Sequence, residues 1–181
     1  MSTAQWAWLG LPLVLGLWML GAHNRVTALR GAVISAWTPV ERALTLRGQA
    51  LTDLLAAVAA PLASESAALD AVAQAQAQVR VATDALRRKP VTPDAVADLS
   101  KADAVLAAVL VRLLSLVEQQ SALQADPAVR MPMIALRELP PQLAFARQRF
   151  NEAGNAYNAA IGQFPTRLLG SVFQFGRAGK L

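Results

Sequence analysis

The chain has 181 residues, 55% of them hydrophobic, with 17 basic against 12 acidic side chains, a net charge of +5 and no cysteine. The lack of cysteine excludes disulfides and thiolate metal sites. The basic residues are dispersed rather than interleaved with aromatics, which argues against nucleic acid and makes an anionic membrane surface the expected partner for the charge.

The first stretch, residues 1–22, carries no charged side chain and leads directly into an amphipathic pattern that begins at His23. A hydrocarbon core of roughly 30 Å takes about 20 apolar residues at 1.5 Å rise each, and residues 4–22 are just long enough. The stretch is expected to be one transmembrane helix. Trp6, Trp8 and Trp18 suit the interfacial belts, and Pro12 is tolerable because membrane helices accept proline. A signal peptide would need a basic leading region and a small-residue cleavage site; the first is missing and Leu20-Gly21-Ala22 matches the second only in part. Arg25 and Arg30 come just after the helix while no Lys or Arg precedes it. By the positive-inside rule the N-terminus then faces out and the bulk of the chain is cytoplasmic.

The next helix should continue from the anchor without a break. Val26, Val33, Val40 and Leu54 hold one seven-residue register, and Trp37, Leu44, Leu51 and Val58 the register four residues later, together a bundle-facing, coiled-coil-like seam. Arg47 interrupts that seam. Snorkelling at the edge is the favoured reading, and pairing with a carboxylate such as Glu118 or Glu152 is the other. Pro39 lacks a backbone donor and is expected to bend this helix.

A second helix is expected from about residue 62 to 88, with Leu69, Val72, Val79 and Leu86 inside. Arg87-Arg88-Lys89 complements the macrodipole at its end. Thr92-Pro93-Asp94 is the clearest boundary, with Thr92 as N-cap and Pro93 at the first helical position. The third helix is expected to run to about residue 124 around Leu99, Leu106 and Leu113, and Asp126-Pro127 repeats the cap-plus-proline signal. Pro140-Pro141 is expected to break the next helix and force a restart. From there Leu143, Phe150, Tyr157 and Phe164 recur every seven residues, as do Ala146, Ala153 and Ala160, and alternating large and small residues allow close helix approach.

These segments define an all-α fold, an N-terminal transmembrane helix continuing into an elongated antiparallel four-helix bundle. Residues 1–22 are the anchor, 23–164 the bundle and 165–181 a short amphipathic basic C-terminal segment. If the four helices alternate in direction, the fourth returns toward the bilayer and brings that segment close to it. Arg167, Leu168, Val172, Phe173, Phe175 and Arg177 are its expected membrane-surface contacts, with capping of the bundle's open end by the aromatics as the alternative.

Asn24-Arg25, Ala36-Trp37-Thr38-Pro39-Val40-Glu41, Ala146-Arg147-Gln148-Arg149-Phe150-Asn151 and the run from Tyr157 to Pro165 resemble the LemA family. The resemblance runs from the anchor to Phe175. It implies a single-pass anchor followed by a cytoplasmic helical bundle, and it brings no enzyme mechanism with it. Some relatives belong to magnetosomes, where they look like membrane-organising components. The sequence departs from the family pattern at Pro39, at Leu46-Arg47, at Pro140-Pro141 and in lacking an acidic tail after the last aromatics.

No catalytic signature accompanies the pattern. The single histidine, His23, falls at the membrane boundary, and there is no phosphate loop, nucleophile elbow or clustered carboxylate pair. Catalytic, cofactor and metal sites are therefore expected to be absent. Asn151, Asn155 and Asn158 lie at steps of four and three on one helical face, and asparagine is a poor helix former. They point either to a groove for a partner or to a polar seam inside the bundle, with Arg147 beside them serving either. Trp37, Arg47, Arg147, the three asparagines, Phe164 and Pro165 are the candidate motif or groove residues. The function expected is a non-enzymatic scaffold or adaptor at the inner membrane that holds lipid and a protein partner or a second copy, and neither nucleic acid nor a small-molecule substrate. The alternatives are a periplasm-facing helical binding module and an adaptor of a membrane protease.

Overall fold

The computed structural model describes residues 3–163 and 176–181, with the side chains of residues 3–13 and 15 outside the description. Five α-helices occur in order among these residues: α1 (Thr3–Val58), α2 (Ser66–Arg88), α3 (Pro93–Glu118), α4 (Ser121–Ala125) and α5 (Pro127–Gly162), with a 3-10 turn at Ala63–Glu65 before α2. No strand occurs among the described residues.

The seam expected on α1 is the core. Val26, Val33, Val40 and Leu54 are buried together with Trp37, Leu44, Leu51 and Val58. Val72, Val79 and Leu86 of α2, Leu99, Leu106 and Leu113 of α3, and Leu143, Phe150 and Tyr157 of α5 meet them in one cluster. Leu69 lies at its edge, half-buried.

Cross-helix contacts fix the directions. Trp37 meets Phe150 edge-on with ring centres 6.2 Å apart, and Arg30, seven residues earlier on α1, acts electrostatically on Tyr157, seven residues later on α5. These two helices are antiparallel. Arg87 pairs with Glu41, while Gln76 donates to Gly48 O at 2.6 Å, so α2 runs back along α1. Asp103 meets Arg147 and Glu118 meets Arg137 at 2.7 Å, so α3 and α5 are antiparallel too. The long helices thus alternate up and down, and α4 joins α3 to α5.

Several boundaries differ from expectation. Residues 62–65 form a turn before α2, with Leu62 tucked into the core, and α3 stops at Glu118 rather than continuing to residue 124. Asp126 caps α5 as expected, its side chain accepting from Ala128 N at 2.8 Å.

The main correction is at Pro140-Pro141. The helix α5 runs unbroken from Pro127 to Gly162 with Pro132, Pro140 and Pro141 inside it, and α1 stays helical through Pro39. Pro39, Pro140 and Pro141 are all exposed, so their rings stay clear of the core. Meanwhile Leu136, Leu139 and Leu143 hold the inner side of α5 against the core.

The helix α1 extends ahead of the core. Its first core residue is Val26, and Val14, Leu17, Trp18, Met19 and Leu20 are exposed. Among the described residues no helix is long and apolar enough to cross a membrane. Most of the expected anchor, including Trp6, Trp8 and Pro12, falls on side chains outside the description. Phe164, Pro165, Arg167, Leu168, Val172, Phe173 and Phe175 also lie outside it.

Candidate functional site

Halfway along the bundle three helices share one charge cluster. Asp103, on α3, is 9% exposed. One of its carboxylate oxygens pairs with Arg47 of α1 and the other lies 2.8 Å from Nη2 of Arg147 on α5. Burial pushes the Asp103 carboxyl up, and the two guanidiniums more than offset this, leaving its pKa below the ordinary value. The carboxylate is held as an anion. The Nε of Arg147 and the indole N–H of Trp37 are buried without a hydrogen-bond partner.

Arg47 therefore does not snorkel. It is paired, and its partner is neither of the carboxylates considered for it: Glu118 is taken by Arg137 and Glu152 accepts from Gln148 at 2.9 Å. Sequence reasoning misses Asp103, although its spacing is informative. It falls four residues after Leu99 and three before Leu106, on the face those leucines bury. A lone carboxylate on an apolar seam needs a cation across it, and Arg47 is the matching flaw on α1.

A cleft of about 620 Å³ opens beside this cluster between α1 and α2, lined in part by Arg47, Thr52, Gln76, Arg80 and Arg87. Its size suits a small ligand. Much of its polarity is already answered internally: Gln76 bonds Gly48 O and Thr52 Oγ1, and Arg87 pairs with Glu41 and Asp84. A second groove between α1 and α5, about 860 Å³, contains Pro39, Leu46, Phe145 and Arg149. Phe145 and Leu46 are exposed there, and the Arg149 guanidinium lies 6.0 Å from the Phe145 ring centre. Among the described residues no group of three or more His, Cys, Asp or Glu side chains could hold a metal ion.

The asparagines of α5 divide. Asn158 donates its amide N–H to Ala178 O at 3.0 Å and accepts from Ala178 N at 2.8 Å. Asn151 does the same to Leu181, donating to its carbonyl at 2.7 Å and accepting from its N–H at 2.8 Å. Asn155 is exposed and takes no part; the residue between the two clamps is the buried Gly154. The expected trio is thus a pair of clamps with a glycine floor, and what they hold is the chain's own terminal segment. Arg177, beside the buried Ala178, is exposed.

The described residues form an α-helical bundle whose first helix outruns its core, tied by a central ion cluster and by amide clamps on Ala178 and Leu181. The chain belongs to the LemA family, whose family model matches residues 36–180. That match begins at Ala36, within α1, and reaches past Phe175 into the clamped segment. No curated protein matches the chain.

Proposed function

We propose that this LemA-family chain is a non-enzymatic scaffold or adaptor, anchored in the bacterial inner membrane by a single pass at its N-terminus. The N-terminus faces out, and the bulk of the bundle works on the cytoplasmic side, holding lipid and a protein partner or a second copy.

The observation that carries this reading is the exposed apolar band at Val14, Leu17, Trp18, Met19 and Leu20, on the same helix as the bundle's core seam. Large apolar side chains exposed on a helix ahead of its first core residue gain from an apolar environment, and a bilayer supplies one. Helical continuity from Thr3 to Val58 would make the anchor and one bundle wall a single rod about 84 Å long. Arg25 and Arg30, exposed just beyond the band, favour the cytoplasmic side for the bundle. The non-enzymatic reading is supported by the state of Asp103, the one buried carboxylate among the described residues. It is locked as an anion between two guanidiniums instead of being poised to exchange a proton.

Val14→Arg with Leu17→Arg tests the anchor. Each arginine costs about 2.5–3.5 kcal/mol at the centre of an inserting helix. The double variant should leave alkali-washed membranes for the supernatant while the unaltered chain stays with the pellet. Equal retention of both would contradict the anchor.

A further inference from the structure

The two clamps on α5 have the geometry of a reader of extended backbone. Each asparagine bonds both the N–H and the C=O of one residue, as a neighbouring strand would in a hydrogen-bonded antiparallel pair. Asn151 and Asn158 are seven residues apart on a helix, about 10.5 Å along its axis. Their ligands, Ala178 and Leu181, are three residues apart in a segment without helical structure, where three residues span about 10 Å. The two spacings match. The segment therefore runs antiparallel to α5 and engages it through main-chain groups, which any amino acid but proline would present.

Selectivity comes from the space around that backbone. A Cβ added to Gly179 would lie 2.8 Å from Val96 Cβ and 2.9 Å from Pro93 Cα at the start of α3, so only glycine fits there. Ala178 is buried, with its methyl facing Gly154 of the floor. Lys180 is exposed, and Leu181 packs half-buried against the core. The site has two walls, α5 and the first turn of α3, and four graded positions.

The geometry points to a peptide-docking groove between α5 and the N-terminal turn of α3. Its ligand is an extended segment reading small residue, glycine, any residue, apolar residue, and residues 178–181 of the chain occupy it as the resident example. This inference does not depend on where the chain sits relative to a membrane. A tethered occupant competes at an effective concentration of about millimolar, so a free peptide meets a filled groove in the unaltered chain.

The test uses the full chain carrying Gly179→Ala, which clashes with Val96 and Pro93 and so expels the segment, together with a fluorescent peptide of residues 176–181 in the natural sequence. The variant should bind this peptide at least tenfold more tightly than the unaltered chain does. Changing the peptide's glycine to alanine should abolish binding, changing its lysine to alanine should leave it intact, and adding Asn151→Asp to the variant chain should remove it. Failure of a helical, cooperatively melting Gly179→Ala chain to bind, or equal binding of the alanine-for-glycine peptide, overturns the proposal. Amide exchange in the unaltered chain gives a second check that needs no folded variant. The Ala178 and Leu181 amides should exchange at least tenfold more slowly than that of Lys180, and uniform fast exchange across the segment also overturns it.

Discussion

Asp103 answers two guanidiniums from two different helices, so neutralising it strands both. Asp103→Asn should cost about 3–5 kcal/mol in urea unfolding at neutral pH, the usual loss when one member of a buried ion cluster is removed. Replacing all three members with apolar residues of similar volume, as Arg47→Met, Asp103→Leu and Arg147→Met, should cost less than the single change, because nothing charged is left buried. The pH dependence has a definite sign. The folded pKa of Asp103 is depressed, so its contribution is complete above an unfolded value of about 4 and is lost as pH falls through the folded one. The gap between the unaltered chain and Asp103→Asn should therefore narrow well below pH 4; a gap that widens in acid would contradict the ion cluster. At this scale the sequence is partly legible. Arg47 stands out because it breaks an apolar register, and the asparagines stand out through poor helix propensity. Their partners do not, since Asp103 lies 56 residues from Arg47 and Leu181 lies 30 from Asn151, with no local signal to join either pair.

At the scale of the element, register is more legible than continuity. The seven-residue spacing from Val26 to Val58 on α1, and from Leu143 to Tyr157 on α5, is buried as expected. Pro140-Pro141 is misleading because the helix-breaking rule is local, and long-range packing overrides it at this pair. Leu136, Leu139 and Leu143 bury one face of α5 across that point, and the burial outweighs two missing backbone bonds. The consequence is measurable. Pro140→Ala with Pro141→Ala restores donors toward the carbonyls of Leu136 and Arg137, and should stabilise the chain by about 1–3 kcal/mol, less than the full helix-interior penalty because proline also restricts the unfolded chain. Thermal and urea unfolding would show the gain. A loss of stability would mean that the helix needs those prolines as a break.

For the whole molecule, alternation of the long helices carries the largest consequence. With α1 leaving the apolar band and α5 running back beside it, Tyr157 and Arg30 come together near the end from which α1 projects. The clamped terminal segment then turns away from that end along α5, toward Asn151. The alternating order of the long helices and the core seams can be read from periodicity and caps, whereas the short α4 and the unbroken α5 cannot. The return of the last residues onto α5 cannot, because Gly176 to Leu181 carries no periodicity, and its fit depends on a glycine that only the neighbouring α3 turn makes necessary. The placement of the molecule in the cell rests on α1. Because the chain contains no cysteine, single cysteines introduced at Ser2 and at Lys101, a position exposed on α3, report its two sides cleanly.

The decisive measurement is protease protection of the full chain in spheroplasts and in inverted membrane vesicles, read with antibody to the bundle and with a membrane-impermeant thiol reagent at those two cysteines. The scaffold account predicts a bundle protected in spheroplasts and digested in inverted vesicles, with Ser2→Cys labelled from outside, Lys101→Cys from inside, and no shortening by about 22 residues, the length of a span with its flanks. Digestion of the bundle in intact spheroplasts, with Lys101→Cys labelled from outside, would contradict it and put the groove and its partners on the periplasmic side.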